Sequence, residues 1–200
     1  EEKRPGLYFP IFEDESGSHI LNAQDLCMIE HVDRLAKAGV DSFKIEGRAK
    51  SAYYVAVVTN AYRIALDLYR ENPAGYQPPA WLGEEVCKVS HRDYSTGFYF
   101  GDNPPGPCYG NRGYVREWEV VATVDGWEDG HILCTERNRF FPGDVLELVQ
   151  PGKKPVVLVA DTLLDEERQP LEQANHPMMK LRIPYPDSVC GGAMLRKAQD

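Results

Sequence analysis

The sequence predicts an α/β segment over residues 1 to about 72, followed by an all-β segment over about 82–200. In the first segment, apolar residues recur at helical spacing on both sides of a short strand-like stretch. In the second, short apolar runs alternate with turn sequences such as DGWEDG and PGKKP, which is typical of a small closed barrel or a sandwich. The proline-rich stretch ENPAGYQPPAW between the segments is predicted to be a linker.

The chain opens with a predicted hairpin, in which residues 7–11 and 19–21 form the strands and 13–17 the turn. A helix is predicted next, starting near residues 22–24 and ending at Gly39, because apolar residues follow one another at intervals of three. These residues are Leu26, Ile29, Val32 and Leu35.

Two further elements complete the first segment. The stretch VDSFKIEG, residues 40–47, is predicted to be a short strand with Val40, Phe43 and Ile45 as its apolar residues. Ser51 is predicted to cap a long helix over about 52–70, since its hydroxyl can accept a hydrogen bond from the first turn. The predicted apolar face of this helix consists of Val55, Val58, Tyr62, Ala65 and Tyr69.

The second segment is predicted to contain only strands, separated by turn signals. They are expected over residues 85–90, 113–124, 131–135, 144–149, 155–162, 179–184 and 193–197.

Composition excludes several classes of protein. The 200 residues carry a net charge of −9, so no basic tail indicates nonspecific nucleic-acid binding. No apolar run approaches the roughly 18 residues of a membrane span. The five cysteines form no CxxC pair, which favours a reducing, cytoplasmic compartment over a disulfide scaffold or a complete zinc site. Because residue 1 is Glu rather than Met, we expect the chain to start at a cut.

The densest cluster of charged residues is FKIEGRAKSAYY, residues 43–54. On a strand Lys44 and Glu46 share one face, and Gly47 permits a sharp exit into a loop that carries Arg48. In α/β folds ligands sit where strands end and helices begin, and a cationic loop before a helix suits an anion. These three charged residues are therefore candidate catalytic or substrate-binding residues. Alternatively, Glu46 and Arg48 form a structural ion pair.

Two other groups of reactive side chains are weaker candidates. Cys27 and His31 share a face of the predicted first helix, but such a thiol is more often a small buried hydrophobe than a metal ligand. His91, Asp93 and Ser95 resemble a hydrolase triad in miniature. On one face of a strand, alternate residues lie roughly 6–7 Å apart, which is too far for the hydrogen bonds of a triad. A polar strand followed by a turn is the simpler interpretation.

Basic and aromatic residues are interleaved in the second segment, as on small barrels that bind nucleic acids. The candidate RNA contacts are Arg92, Arg112, Arg116, Arg137, Arg139, Lys153 and Lys154. The interleaved aromatic residues are Tyr94, Phe98, Tyr99, Tyr109 and Phe140. Most surface arginines are simply solvated, so an ordinary surface role is the alternative for each of these cations.

The sequence as a whole resembles one known family. LNAQDLCMIEHVDRLAKAGVDSFKIEGRAKSAYYVAVVTNAYRIALDLY is similar to the signature stretch of the collagenase-like peptidase family U32. HRDYSTGFYFG, NRFFPGDVLELVQPG and IPYPDSVCGGAMLRK resemble its C-terminal domain. The resemblance covers essentially the whole chain and departs from the family pattern KIEGRMKS at Ala49, where the pattern has Met.

The resemblance implies that residues 1–78 are the C-terminal part of a TIM-type barrel with an inserted hairpin. It implies that residues 79–200 form a small β-barrel resembling domain two of translation elongation factors. It further implies an enzyme that hydroxylates RNA, forming 5-hydroxyuridine at the tRNA wobble position. The implied partners are tRNA and prephenate as co-substrate, with no membrane.

The resemblance also implies a cofactor. Several members carry a four-iron four-sulfur cluster on four cysteines, and Cys27 in DLCMIEH matches the fourth. The other three would lie upstream, so this chain alone is expected to be colourless and inactive. Lys44, Glu46 and Arg48 become the candidates for contact with prephenate, a dicarboxylate that suits arginine.

Two alternatives to RNA hydroxylation stay open. One is a genuine collagenase-like peptidase, although the chain shows no strong pairing of a nucleophile with a base. The other is a non-catalytic RNA-binding adaptor, although a net charge of −9 does not favour RNA binding.

Overall fold

A computed structural model describes residues 5–6, 12–15, 17–19, 24–101, 106–107 and 113–199. Spatial contacts divide the chain into two compact units. We call Glu1–Met28 with Ser90–Val115 the small unit, and Ile29–Val89 with Arg116–Asp200 the large unit. The predicted domain boundary between residues 78 and 79 stays a prediction.

Two pairs of short strands lie in the described part of the small unit. Strand β1 (Phe12–Asp14) pairs antiparallel with β2 (Gly17–His19), and β3 (Asp25–Leu26) pairs parallel with β4 (Tyr94–Ser95). A hairpin with its turn inside residues 13–17 is thereby confirmed. The strand predicted over residues 7–11 lies outside the described residues.

The helix predicted to start near residues 22–24 is wrong in its first half. The backbone N–H groups of Asp25 and Cys27 donate to the carbonyls of Asp93 and Ser95, each at 2.9 Å. These bonds commit the segment to pairing with β4, so the helical spacing of Leu26 is coincidental. Leu26 is 58% exposed instead of lying in a core.

The first part of the large unit is helical. A 3₁₀ turn (Ile29–His31) leads into α1 (Val32–Lys37), and α2 (Ala52–Glu71) and α3 (Ala80–Val86) follow. Gly39, with a φ of +89°, ends the first helical region as predicted. None of the helices in the described ranges is long and apolar enough to cross a bilayer.

Helix α2 confirms the predicted cap and corrects the predicted face. The Ser51 hydroxyl accepts a hydrogen bond from the N–H of Tyr54 at 3.2 Å. Val58 and Ala65 are buried as expected, but Val55 is 41% exposed. The buried residues of α2 are Val57, Val58, Ala61 and Ala65, so the packed face is rotated from the predicted one.

Two predicted strands of this region are wrong. Residues 40–47 form no strand. The N–H of Val40 donates to the carbonyl of Leu35 at 3.1 Å and the carbonyl of Gly47 accepts from the N–H of Lys50 at 3.0 Å, so the ends of the stretch make local turn bonds instead of strand pairs. Residues 85–90 begin inside α3, whose start at Pro79 and buried pair Leu82 and Val86, four residues apart, are helical features.

The rest of the large unit is one antiparallel sheet. Its strands are β5 (Trp118–Glu128), β6 (His131–Glu136), β7 (Val145–Val149), β8 (Val156–Val159), β9 (Leu163–Leu164), β10 (Pro170–Leu171), β11 (Lys180–Pro184) and β12 (Met194–Ala198). Their order is β10-β9-β11-β6-β5-β12-β7-β8. The all-β prediction is thus confirmed in this part of the chain, as a sheet that curls into a half-barrel. Asp129 and Gly130, at φ of 49° and 75°, form the tight turn between β5 and β6. The turn is shorter than the predicted DGWEDG, because residues 125–128 continue β5 beyond its predicted end at residue 124.

The sheet is covered on both faces near β12. Leu195 belongs to a large apolar cluster with residues such as Phe140, Leu146 and Ile132. Its neighbour Met194 instead packs against the cluster formed by Val57, Val58, Val89 and Val149. Helix α2 therefore covers the face of the sheet opposite the main core.

Arg196 joins the helices to this covered face. It is 0% exposed, and its guanidinium donates hydrogen bonds to Glu85 of α3 at 2.6 Å and to Glu147 of β7 at 2.9 Å. It also donates to the hydroxyl of Tyr53 at 3.1 Å. Lys88 contacts Glu147 at 2.7 Å, so two cations face two carboxylates. Burial opposes the charge of Arg196, but its carboxylate partners hold the pKa of the guanidinium above its usual value.

We expect Arg196→Ala to lower the free energy of unfolding by about 3–5 kcal/mol, because two carboxylates lose their buried partner. Urea denaturation followed by circular dichroism measures this. Arg63→Ala is the matched control, since Arg63 forms an exposed pair with Asp67 and should cost about 0.3–0.5 kcal/mol. Equal urea midpoints for the two variants would contradict a central role for Arg196.

Acid should weaken the same network. Burial raises the pKa of Glu147, but hydrogen bonds from Lys88 and Arg196 outweigh burial and place the pKa below its usual value. The stabilisation is complete above the pKa of an unfolded glutamate, about 4.3, and is lost as pH falls through the lower folded-state pKa. Urea unfolding between about pH 7 and about pH 3.5 should show this loss, and Glu147→Gln should flatten it. An unchanged acid slope in the variant would refute the assignment.

Candidate functional site

The KIEGR stretch of the large unit keeps an alternating exposure without being a strand. Lys44, Glu46 and Arg48 are exposed, while Phe43 and Ile45 are half-buried. Ile45 packs against the apolar cluster beneath α2. The three predicted charged residues therefore share a solvent-facing side, held by the packing of their neighbours.

The predicted ion pair between Glu46 and Arg48 is not present among the described side chains. The carboxylate of Glu46 instead accepts a hydrogen bond from the backbone N–H of Arg48 at 2.9 Å. Gly47 lies between them, and a Cβ there would come within 2.9 Å of Val55. Glu46 thus shapes the turn, and the guanidinium of Arg48 is left facing solvent.

Cys27 follows β3 in the small unit. It is 4% exposed and not disulfide-bonded, and it is not on a helix. A cluster of the expected kind needs four thiolate ligands. Within the described ranges, no group of three or more His, Cys, Asp or Glu side chains could hold a metal ion. These residues supply one candidate ligand, and they do not by themselves fit a complete cluster.

Arg92 is committed to an ion pair within the small unit. Its guanidinium donates to the carboxylate of Asp25 at 2.8 and 3.0 Å, and its backbone N–H donates to the same group at 3.1 Å. Its guanidinium also lies 5.8 Å from the ring centroid of Tyr114. The charge of Arg92 is therefore compensated, which weakens it as a phosphate contact.

His91 and Ser95 do not form a catalytic pair. The Nδ1 atom of His91 lies 2.7 Å from the carbonyl oxygen of Arg92, and its ring stacks on Tyr94 with centroids 4.4 Å apart. The Ser95 hydroxyl accepts a hydrogen bond from the N–H of Gly97 at 3.3 Å. Both side chains are buried and serve the local fold, so the preference for a structural interpretation over a triad is supported.

The turn after β4 presents exposed aromatic side chains. Phe98 is 85% exposed and Tyr99 is 59% exposed, although the preceding Ser95 and Thr96 are buried. An open cavity of about 590 Å³ adjoins this turn. Its lining is formed by Gln24, Leu26, Ser95, Gly97, Phe98 and Tyr99. Two other aromatic candidates, Tyr94 and Phe140, are buried in the fold.

Five of the six remaining cationic RNA candidates lie in the large unit. Arg137, Arg139, Lys153 and Lys154 are all exposed. The guanidinium of Arg139 lies 5.6 Å from the ring centroid of Phe141, and the ammonium of Lys154 lies 5.9 Å from that of Trp81. Arg116 is exposed too, whereas Arg112 and Tyr109 fall outside the described residues.

The large unit thus consists of an antiparallel sheet with helices packed on one face. The exposed KIEGR loop precedes the sheet in the chain. The family model described as "Peptidase family U32" matches residues 1–106, and that described as "Peptidase family U32 C-terminal domain" matches residues 116–196. The chain therefore belongs to peptidase family U32.

Curated relatives extend this finding. The chain is 29% identical over 195 residues to "tRNA hydroxylation protein P1" of Bacillus subtilis, a match covering 94% of the chain and 46% of that relative. It is 39% identical over 155 residues to "tRNA hydroxylation protein P" of Escherichia coli, covering 76% of the chain and 33% of that relative. The chain thus spans less than half the length of these relatives.

A solved structure is also similar, the C-terminal domain of a Geobacillus thermoleovorans putative U32 peptidase. It is 27% identical, with a TM-score of 0.38, and the match covers 40% of this chain and 99% of that one.

Thiol reactivity should follow burial. Cys190 is exposed, whereas Cys134 is 1% exposed and burial raises the pKa of its thiol to about 12. Iodoacetamide should therefore alkylate Cys190 in the native chain and spare Cys134 and Cys27, as peptide mass spectrometry can show. In urea all three should react, which is the control. Alkylation of native Cys27 at the rate of Cys190 would rule out its buried position.

Proposed function

We propose that this chain is part of an enzyme that hydroxylates uridine in tRNA, forming 5-hydroxyuridine at the wobble position. The observation that carries this proposal is the similarity, over 94% of the chain, to a relative named for tRNA hydroxylation. The KIEGR loop and the aromatic turn give such an enzyme two surfaces with the chemistry it needs, one cationic and one suited to bases.

Lys44 and Arg48 are proposed to bind the carboxylates of prephenate. Both are exposed, and no ion pair with an acidic side chain is described for either. Arginine binds carboxylates through two parallel N–H groups, and lysine adds a compact charge. A dicarboxylate is thus a suitable ligand for two uncompensated cations on one short loop.

Glu46 is proposed to act differently from its two neighbours. Its carboxylate holds the backbone N–H of Arg48 at 2.9 Å, so it orients the loop that carries the guanidinium. Glu46 is therefore a positioning residue for Arg48.

Cys27 is proposed as one ligand of a four-iron four-sulfur cluster in the full-length protein. This proposal is supported by the Cys27 thiol, which is buried, is not disulfide-bonded and lies on a segment that pairs with β4. When bound, such a cluster would supply redox chemistry. The other ligands are proposed to come from the rest of the protein, together with a TIM-type barrel that residues 1–78 complete.

The exposed cations of the large unit are proposed to dock the tRNA backbone. Arg137, Arg139, Lys153 and Lys154 are exposed, as phosphate contacts must be. Because each phosphate contact releases counterions, this docking should weaken steeply with salt.

Modified nucleosides provide the test. A strain lacking the full-length gene should lose 5-hydroxyuridine from its tRNA, measured by mass spectrometry of digested nucleosides. The wild-type gene should restore it, whereas Cys27→Ala and Arg48→Ala should not. Arg63→Ala is the matched control, since its charge is already paired with Asp67 and the variant should restore the nucleoside.

Each outcome separates one part of the proposal. An unchanged nucleoside profile in the deletion strain would reject tRNA hydroxylation as the function. Restoration by Arg48→Ala would reject the carboxylate-binding role while leaving the function in place. Binding of tRNA without any change in its nucleosides would favour the non-catalytic adaptor, and cleavage of gelatin by the purified protein would favour a peptidase.

A further inference from the structure

The turn at residues 96–101 departs from the usual way a soluble protein treats large apolar side chains. Phe98 is 85% exposed and Tyr99 is 59% exposed, and Leu26 across the cavity is 58% exposed. Contiguous exposed apolar groups of this kind usually mark a binding surface.

A backbone hydrogen bond and a paired strand define the conformation of the turn that carries these side chains. The carbonyl of Thr96 accepts a hydrogen bond from the N–H of Tyr99 at 3.4 Å, and Gly97 adopts a positive φ of 57°. Strand β4, which leads into the turn, is buried and pairs with β3. The two aromatic side chains therefore extend from a turn that follows a buried, paired strand.

The chemistry of the cavity selects a flat, uncharged ligand. Its walls are mostly apolar, and the polar side-chain groups among its lining residues are all neutral, namely the amide of Gln24 and the hydroxyls of Ser95 and Tyr99. The nearby charge of Arg92 is compensated by Asp25. A phosphate would find no free cation among the lining residues, whereas a nucleobase could stack on a ring and meet an amide or hydroxyl at its edge.

We propose that the cavity beside Phe98 and Tyr99 receives one unpaired nucleobase of an RNA loop, which stacks on these aromatic rings. The volume of about 590 Å³ lies within the range of roughly 300–1,000 Å³ that is typical of ligand sites. The choice of RNA as the ligand rests on the proposed function. The proposal adds that an unpaired base of the RNA is bound, and that the rings of Phe98 and Tyr99 bind it.

Fluorescence of a base analogue tests the proposal directly. The probe is an anticodon stem–loop RNA with 2-aminopurine at one unpaired loop position, titrated with the 200-residue chain. Stacking on an aromatic ring should quench the probe. Phe98→Ala should weaken binding about tenfold or more, within the range known for loss of one base–aromatic stack.

Two further variants separate stacking from other effects. Phe98→Leu keeps apolar area but removes the ring, so it should lose the quenching as well. Val145→Ala is the matched control, because Val145 is an exposed apolar residue of the large unit, 60% exposed, and belongs to none of the proposed RNA contacts. It should bind and quench like the wild type. Since Phe98 is so exposed, circular dichroism should show that its variants remain folded.

Salt dependence distinguishes a base contact from a phosphate contact. The loss caused by Phe98→Ala should be the same at about 50 and about 200 mM salt, because stacking releases no counterions. A loss that disappears at the higher salt concentration would overturn the proposal. So would wild-type quenching by Phe98→Ala, or the absence of quenching by the wild-type chain.

A negative result of this experiment can be distinguished from a failure of the proposed function. If the deletion strain loses 5-hydroxyuridine while Phe98→Ala still quenches normally, tRNA hydroxylation stands and the base pocket is wrong. If an apolar peptide binds the turn and the hairpin RNA does not, the surface docks a protein and the pocket is again wrong.

Discussion

The buried charge network around Arg196 is the interaction on which the architecture of the large unit depends. Arg196 lies on β12, Glu85 on α3 and Glu147 on β7, so one guanidinium links a helix to two strands. Tyr53 of α2 accepts a further bond from Arg196 and donates one to the carbonyl of Lys88 at 2.9 Å. A buried guanidinium is tolerable only when it is paired in this way, and therefore helices and sheet must meet in one arrangement.

That arrangement determines what the KIEGR loop can do. Because α2 packs against β12 through Val57 and Val58, its N-terminus is fixed, and the Ser51 cap sets where the preceding loop must end. Ile45 is anchored in the same apolar cluster. A loop held at both ends can present the charges of Lys44 and Arg48 to solvent without a strand ladder of its own.

Local sequence patterns predicted the elements that depend on interactions between residues close together in the chain. Ser51 capped its helix, and the Asp129–Gly130 pair formed its turn, because both depend on near neighbours. The partners of Arg196 are 111 and 49 residues away in the chain, and no spacing rule reveals them. Long-range pairing also explains the largest error, since β4 captured residues that helical periodicity had assigned to a helix.

Charge compensation by nearby carboxylates also determines which cations are available for binding. The chain carries a net charge of −9, and many of its cations face carboxylates, as Arg92, Lys180 and Lys197 do. Overall charge therefore attracts the proposed RNA partner only weakly, and the proposed function relies on a few exposed cations and on aromatic faces. Solvent exposure distinguishes aromatic residues of the core from those available to a ligand, which the sequence pattern could not do. Phe140 is fully buried, whereas Phe98 is exposed to solvent. In the proposed function, stacking of bases on such an exposed ring would therefore add to the phosphate contacts that the exposed cations of the large unit make.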